Sequence, residues 1–190
     1  MKVQKAITNR RSIRSFRDDP VSDEQLRQLL ETATLAPSGK NAQPWRFVVL
    51  KGAEKDDLVD VMGDTLTHLK AEGHSTGSAE YSAEVMRQAP ALIVVFNCNW
   101  TPDDDLTGAK RYLLSVDIQS IGAAIQNMLL RAEEMGLGTL WICDVFFAAD
   151  QIREWLGRKE ELVAAVAVGY SNESPDARPR LSVDEVTEWR

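Results

Sequence analysis

The feature that most constrains this chain is a run from about Leu113 to Met135 that reads as one long helix, apolar on more than one side. A helix of that kind is central and packed on most of its circumference, not laid on a surface. The chain has 190 residues, 44% of them hydrophobic, which suits one compact domain with a real core. Around the long helix, strand and helix signals alternate, so the class is α+β or α/β. A short helix is expected over Val3 to Asn9, and Ser22-Asp23-Glu24-Gln25 reads as a capping box opening a second. In that second helix Leu26, Leu29, Leu30 and Ala33 form one stripe of a 3.6-residue period. Glu54 to Glu72 is helical by pattern, whereas the polar stretch Gly73 to Ser82 reads as a mobile loop or lid. Strands are expected over Arg46 to Leu50, Ala91 to Phe96, Thr139 to Val145 and Leu162 to Val168. An amphipathic helix with Ile152, Trp155 and Leu156 separates the last two, and residues 171–190 read as an extended C-terminal arm.

The longest strongly apolar run, Ala89 to Phe96, is far below the ~20 residues that span a bilayer. The start Met1-Lys2-Val3-Gln4-Lys5 has no apolar signal-peptide core behind it, so a soluble, cytoplasmic protein is expected. Cys98 and Cys143 form no CxxC pair and lie in apolar runs, where reduced cysteines behave as small buried hydrophobes. A net charge of −7 argues against a general nucleic-acid or anionic-membrane binder. His68 and His74 are not the i, i+4 pair that puts two metal ligands on one helical face, so no metal site is expected. Asp103, Asp104 and Asp105 lack the EF-hand pattern and read as a solvated turn. No GxSxG nucleophile motif appears.

Four segments carry chemistry. Against the acidic background, Arg10, Arg11, Arg14 and Arg17 cluster with Ser12 and Ser15. Guanidinium forks make paired, charge-assisted hydrogen bonds to phosphate oxygens, so the cluster suits a phosphate-bearing ligand. Alone it equally suits a solvated basic segment. Ala36 to Trp45 combines Pro37 and Pro44 with Ser38, Gly39, Asn41 and Gln43. Such a rigid loop of small polar groups can line a heteroaromatic ring, or can be a plain helix-to-strand connection. Gly136 to Ile142 fails the dinucleotide fingerprint, because Trp141 stands at the third glycine position, and no P-loop is present. Arg178-Pro179-Arg180 is either a second phosphate clamp or an exposed tail.

In this order the R-R-S-x-R segment, the P-S-x-x-N-x-Q-P-W loop, G-L-G-T-x-W-I after a long helix and a basic arm resemble the nitroreductase family over nearly the whole chain. The resemblance implies that family's α+β sandwich, a mixed central sheet flanked by helices, assembled as an intertwined homodimer with FMN at the subunit interface. It implies that Arg10, Arg11, Ser12 and Arg14 contact the FMN phosphate, ribityl chain and pyrimidine edge. Pro37, Ser38, Gly39 and Asn41 would come from the partner subunit. Leu140, Trp141 and Ile142 would pass along the flavin ring, and Arg178 and Arg180 would complete the phosphate site. The long helix would form the dimer core. The implied activity is ping-pong: NADH or NADPH passes a hydride to the flavin, leaves, and is replaced by a small-molecule acceptor such as a nitroaromatic or quinone. No side chain is assigned as catalytic acid or base, since the flavin carries the redox chemistry. The same motifs also suit an FMN carrier or sensor without turnover, or a relative with other flavin chemistry, dehalogenation or flavin fragmentation. One departure stands out. Many members have glycines after the Trp-Ile pair, where this chain has Cys143 and Asp144. Asp144 would tune the flavin or restrict substrates, or more simply cap the turn before Phe146 and Phe147.

Overall fold

The computed structural model describes residues 2–190; Met1, the first residue of the charged start, lies outside the described residues. The elements are α1 (Val3–Asn9), α2 (Asp23–Thr34), β1 (Trp45–Lys51), α3 (Gly52–Ala71), α4 (Ala79–Gln88), β2 (Ala91–Asn97), α5 (Ala109–Glu134), β3 (Gly138–Ile142), α6 (Ala149–Trp155), β4 (Glu161–Gly169) and the single turn α7 (Val183–Val186). The four strands form one sheet in the order β1-β2-β4-β3. Every neighbouring pair is antiparallel, and the parallel component expected of a mixed sheet is one isolated bridge, Ser12 to Thr139.

Burial explains the order. All seven residues of β2 are buried, as are all but the first of β4, and these two occupy the centre. Such continuous apolar runs are what a strand covered on both faces requires. Along β2 the side chains alternate: Leu92, Val94 and Phe96 enter one core with α3, α4 and α6, while Ala91, Ile93 and Val95 enter another with α2 and α5. The molecule is thus a sheet with helices on both faces.

The long helix takes the expected central place. Ile121, Ala124, Ile125, Met128, Leu129 and Ala132 of α5 recur at helical spacing and are buried against the sheet and α2. Burying one of its isoleucines contributes about 1.5–3 kcal/mol. By length and composition α5 would pass as a membrane span, but here it packs on α1, α2, β2 and β3. Its N-terminal half leaves Tyr112, Leu113 and Val116 exposed. The capping box of α2 forms as expected: Ser22 Oγ accepts from Gln25 N at 3.2 Å and Gln25 Oε1 accepts from Ser22 N at 3.0 Å.

Three expectations are corrected. The stretch Gly73 to Ser82 is not all loop, because α4 begins at Ala79 and buries Ala79, Ala83, Val85 and Met86. Its far end is held by Lys55, a buried lysine whose Nζ donates to the carbonyls of Met86 at 3.3 Å and Arg87. Strand β3 stops at Ile142 instead of Val145, since Asp144–Ala148 coil into a 3-10 turn. The cysteines are free but not core residues, Cys98 being half-buried and Cys143 exposed. The arm is extended as expected, apart from α7, whose Ser182 and Glu185 form a capping box.

Candidate functional site

The N-terminal segment runs over the outer edge of β3. Ile13 N donates to Thr139 O at 2.9 Å, and Gly138 leaves the room Ile13 needs: a Cβ there would lie 2.9 Å from Ile13 Cγ1. The next residues are pinned to the start of the arm. Arg17 N donates to Tyr170 O and Asn172 N to Ser15 O, each at 2.9 Å, and the Glu173 carboxylate accepts from the backbone N–H groups of Arg14 and Ser15. These pins carry the arm back across the arginines. The result is a cleft of about 510 Å³ lined by Arg10, Arg11, Ser12 and Arg14 from one side and Pro175, Asp176, Arg178 and Arg180 from the other.

Two segments separated by more than 160 residues thus bring five guanidinium groups to one cleft. Among the described residues, none of Arg10, Arg11, Arg14, Arg178 and Arg180 has a carboxylate partner, whereas Arg17, outside the cleft, pairs with Asp19 at 2.9 Å. Arg11 caps the end of α1, donating to Thr8 O at 2.8 Å and to Asn9 O and Arg10 O at 3.0 Å. Arg14 donates to Ser12 O at 3.2 Å, and Arg180 to the carbonyls of Arg178 and Pro179 at 3.2 and 3.1 Å. In these three, backbone carbonyls orient the guanidinium without neutralising it. Like charges held this close repel, and an anion with several oxygens relieves the repulsion while satisfying the free N–H groups.

Beyond the cleft lies the edge of β3. Because Thr139 turns its carbonyl outward to Ile13, two-residue alternation puts the backbone groups of Trp141 on the same edge. The side chains of Leu140 and Ile142 point into the core, at 6% and 3% exposure. Any contact they offer a ligand is therefore through backbone. Trp141 lies on the opposite face, partly exposed, and its ring packs over Gly122 of α5, where a Cβ would stand 3.7 Å from Cη2.

The Pro37–Pro44 loop is elsewhere: Pro37, Ser38, Gly39 and Asn41 do not line the arginine cleft. Lys40, Asn41 and Gln43 all have positive φ, at 51°, 56° and 48°. Non-glycine residues in this region cost on the order of 1 kcal/mol each, and such strain persists only where surroundings impose it. Here Ser38 Oγ accepts from Gln43 N at 3.0 Å, Gly39 N donates to Ser120 Oγ at 3.3 Å, and Cys98 N donates to Pro44 O at 2.8 Å. Gly39 sits so close to α5 that a Cβ would come within 2.4 Å of Val116 Cγ1. Beneath the loop lies a buried polar knot. Asp117 accepts from Trp100 Nε1 at 2.8 Å and Asn99 Nδ2 at 3.1 Å, and Asn97 Nδ2 donates to Glu161 at 3.1 Å. Burial, with Asp117 adding, pushes the Glu161 carboxyl above its usual range, against the Asn97 hydrogen bond.

Ser120, Glu173 and Thr139 carry no site signal in the sequence, since each acts through a distant backbone partner. Asp144 does not cap its own turn; its carboxylate accepts from Ser78 and Ser82 of a different segment. Partial burial and the Asp144 carboxylate raise the Cys143 thiol above its usual range, which keeps it protonated. His68 and His74 are exposed and both flank Glu72. Among the described residues, no cluster of three or more His, Cys, Asp or Glu side chains is placed to hold a metal ion.

Comparison with known proteins agrees with this geometry. A candidate NADH dehydrogenase/NAD(P)H nitroreductase from Archaeoglobus fulgidus is 31% identical, over 96% of this chain and 94% of the relative. The 5,6-dimethylbenzimidazole synthase of Rhodospirillum rubrum is 32% identical, over 86% of this chain and 79% of the relative. A solved structure of a candidate nitroreductase from Desulfovibrio desulfuricans, in complex with FMN, superposes with a TM-score of 0.77 at 28% identity, covering 100% of this chain and 97% of that one. The family model for the nitroreductase family matches residues 7–170, which takes in the arginine segment, the strained loop and β3. With a match of that extent on a fold of the same kind, this chain belongs to the nitroreductase family.

Proposed function

We propose that the chain is an FMN-dependent NAD(P)H oxidoreductase acting as a homodimer in the cytoplasm. The observation that carries this is the cleft where five guanidinium groups converge, without a carboxylate partner among the described residues, in a chain of net charge −7. Arg10, Arg11, Ser12, Arg14, Arg178 and Arg180 would hold the phosphate, and the edge of β3 with Trp141 would flank the ring. When bound, FMN would accept a hydride from NADH or NADPH and pass it to a small-molecule acceptor such as a nitroaromatic or quinone. The protein's own part is to bind the phosphate, align the ring and shield one face. The similar Desulfovibrio protein was solved with FMN, and the two free thiols suit a reducing compartment.

The loop supports the dimer. Its strained, preorganised conformation points to a binding role, yet Pro37, Ser38, Gly39 and Asn41 lie outside the cleft. A second copy would bring them to the flavin. Exposed apolar side chains supply a surface for that copy: Val3 and Ile7 of α1, Leu35, Tyr112 and Leu113 of α5, and Trp189 on the arm. Apolar groups mark an interaction surface where they join into a continuous patch.

The test is a visible spectrum of the purified protein before and after anaerobic NADH, then NADPH. Flavin bands that bleach with one donor and return with a quinone support the reading. Bands that persist with both donors indicate a carrier or sensor, and failure to bind FMN at all rejects the reading. The Rhodospirillum relative favours a second reading, flavin fragmentation. Full recovery of the oxidised spectrum on aeration argues against it; permanent loss with release of 5,6-dimethylbenzimidazole supports it.

A further inference from the structure

The turn after β3 contains an interaction that cofactor binding does not account for. β3 ends at Ile142, Cys143 follows, and Asp144 opens the 3-10 turn. One oxygen of Asp144, Oδ2, accepts hydrogen bonds from Ser78 Oγ at 2.9 Å and Ser82 Oγ at 2.5 Å. Ser78 immediately precedes α4 and Ser82 is four residues on, so both hydroxyls lie on one face of its first turn. A single carboxylate oxygen therefore clamps the start of α4 to the end of the strand that carries Trp141.

The same segment is tied at a second point. Lys70 at the end of α3 pairs with Glu80 at 2.5 Å, and the buried Thr76 hydroxyl donates to the same carboxylate at 2.7 Å. These partners hold the Glu80 carboxyl down at about 2, so it stays ionised at any physiological pH. Gly73 and Gly77, in the connection between α3 and α4, both have positive φ. Tyr81, which lies between the clamped serines in sequence, keeps its ring half-exposed. The first turn of α4 is thus tied to the end of α3 through Glu80 and to the end of β3 through Asp144, and the tie nearer the proposed flavin site is Asp144.

We infer that Asp144 is a positioning residue that fixes the first turn of α4 as a wall beside the proposed ring-binding end of β3, and so limits the size of the electron acceptor. The inference rests on the FMN oxidoreductase reading above. Ser78 and Ser82 supply the anchor, and Tyr81 is the bulky side chain the clamp holds in place. Without the clamp, the first turn of α4 keeps its Glu80 tie and its buried alanines but loses its link to the end of β3, and the wall loosens on that side.

The test compares wild type, Asp144→Ala, Asp144→Asn and the double variant Ser78→Ala/Ser82→Ala. For each, FMN content, melting temperature and kcat/KM are measured with 1,4-benzoquinone and the fused-ring 1,4-naphthoquinone. Asp144→Ala and the serine pair should keep their flavin and raise the naphthoquinone-to-benzoquinone ratio by about tenfold, chiefly through KM for the larger acceptor. Asp144→Asn retains an acceptor oxygen and should move the ratio less. Should Asp144→Ala fold poorly, the serine pair decides alone, because it removes the same clamp and leaves the carboxylate in place. Flavin-loaded variants whose ratio stays within about twofold of wild type would overturn the inference while leaving the oxidoreductase reading intact. Wild-type protein that holds no flavin would overturn both, and is seen before any variant is made.

Discussion

The arginine cleft and the Pro37–Pro44 loop are built on opposite principles. The cleft concentrates charge on residues of ordinary backbone φ, held by backbone pins such as Glu173 to Arg14 and Ser15. The loop carries its strain in the backbone, at Lys40, Asn41 and Gln43, and is braced by Ser38, Ser120 and Cys98. A charged cleft captures an anion by energy that adds up arginine by arginine. A braced loop contributes shape, and it fails when one brace is displaced. The two are not joined in one chain, which is the physical argument for a site completed by a second copy.

The largest effect should come from the cleft. Replacing Arg10 and Arg14 by Ala removes two charge-assisted contacts worth about 1.5–3 kcal/mol each, so FMN affinity should fall by about two to four orders of magnitude. Fluorescence titration measures this, and the thermal stability of the apoprotein should change little. Arg11→Ala, in contrast, should lower both affinity and melting temperature, because its guanidinium also caps α1. An affinity unchanged in the double variant would mean that the cleft is not the phosphate site.

A smaller, geometric effect is expected at the loop. Gly39→Ala places a methyl group within 2.4 Å of Val116 Cγ1, and overpacking of this kind costs about 1–3 kcal/mol. FMN affinity should drop by about tenfold, and Val116→Ala in the same chain should restore most of it. Rescue by a neighbour distinguishes shape from charge; no second-site change can restore a missing guanidinium.

The smallest effect concerns the knot under the loop. Glu161 has its folded pKa raised above the ordinary 4.5, mainly by burial. Its contribution to stability is complete below the ordinary value and is lost as pH rises through the raised one. Glu161→Gln removes this slope, so the variant should gain on wild type as pH rises from 4 to 7.5. The carboxyl is only half-buried, and solvent screening keeps the gain below about 1 kcal/mol. Urea unfolding at both pH values tests the sign, and a variant that loses ground at the higher pH would contradict it.

How far the sequence disclosed these features depended on the range of the interactions involved. The Ser22 capping box, the stripe of α2 and the apolar run of β2 are local patterns, and all appear where the residues put them. Helix α4 was hidden because Gly73 and Gly77 signal a loop just before it, and because its buried stripe includes the small Ala79 and Ala83, which weigh little in an apolar pattern. The early end of β3 was equally hidden: Asp144 turns away to serines more than 60 residues upstream, a partner no window of sequence contains. Ser182 and Glu185 had the capping spacing of α7 in plain view, but the surrounding Pro, Asp and Arg residues read as an unstructured arm. The arginines were recognised by type and spacing, while their meeting with Arg178 and Arg180 rests on the Tyr170 to Glu173 pins.

The measurement that bears most directly on a site shared between subunits is a hybrid-dimer complementation. One partner carries Arg10→Ala/Arg14→Ala, the other Gly39→Val, each expected to be inactive and flavin-free when paired with itself. In a hybrid of the two, a site built from both chains occurs once intact and once doubly damaged. The account predicts that the purified hybrid binds one FMN per dimer, about half the wild-type content, and recovers activity in proportion. A hybrid that binds none would show that each chain builds its flavin site alone, and would contradict the account.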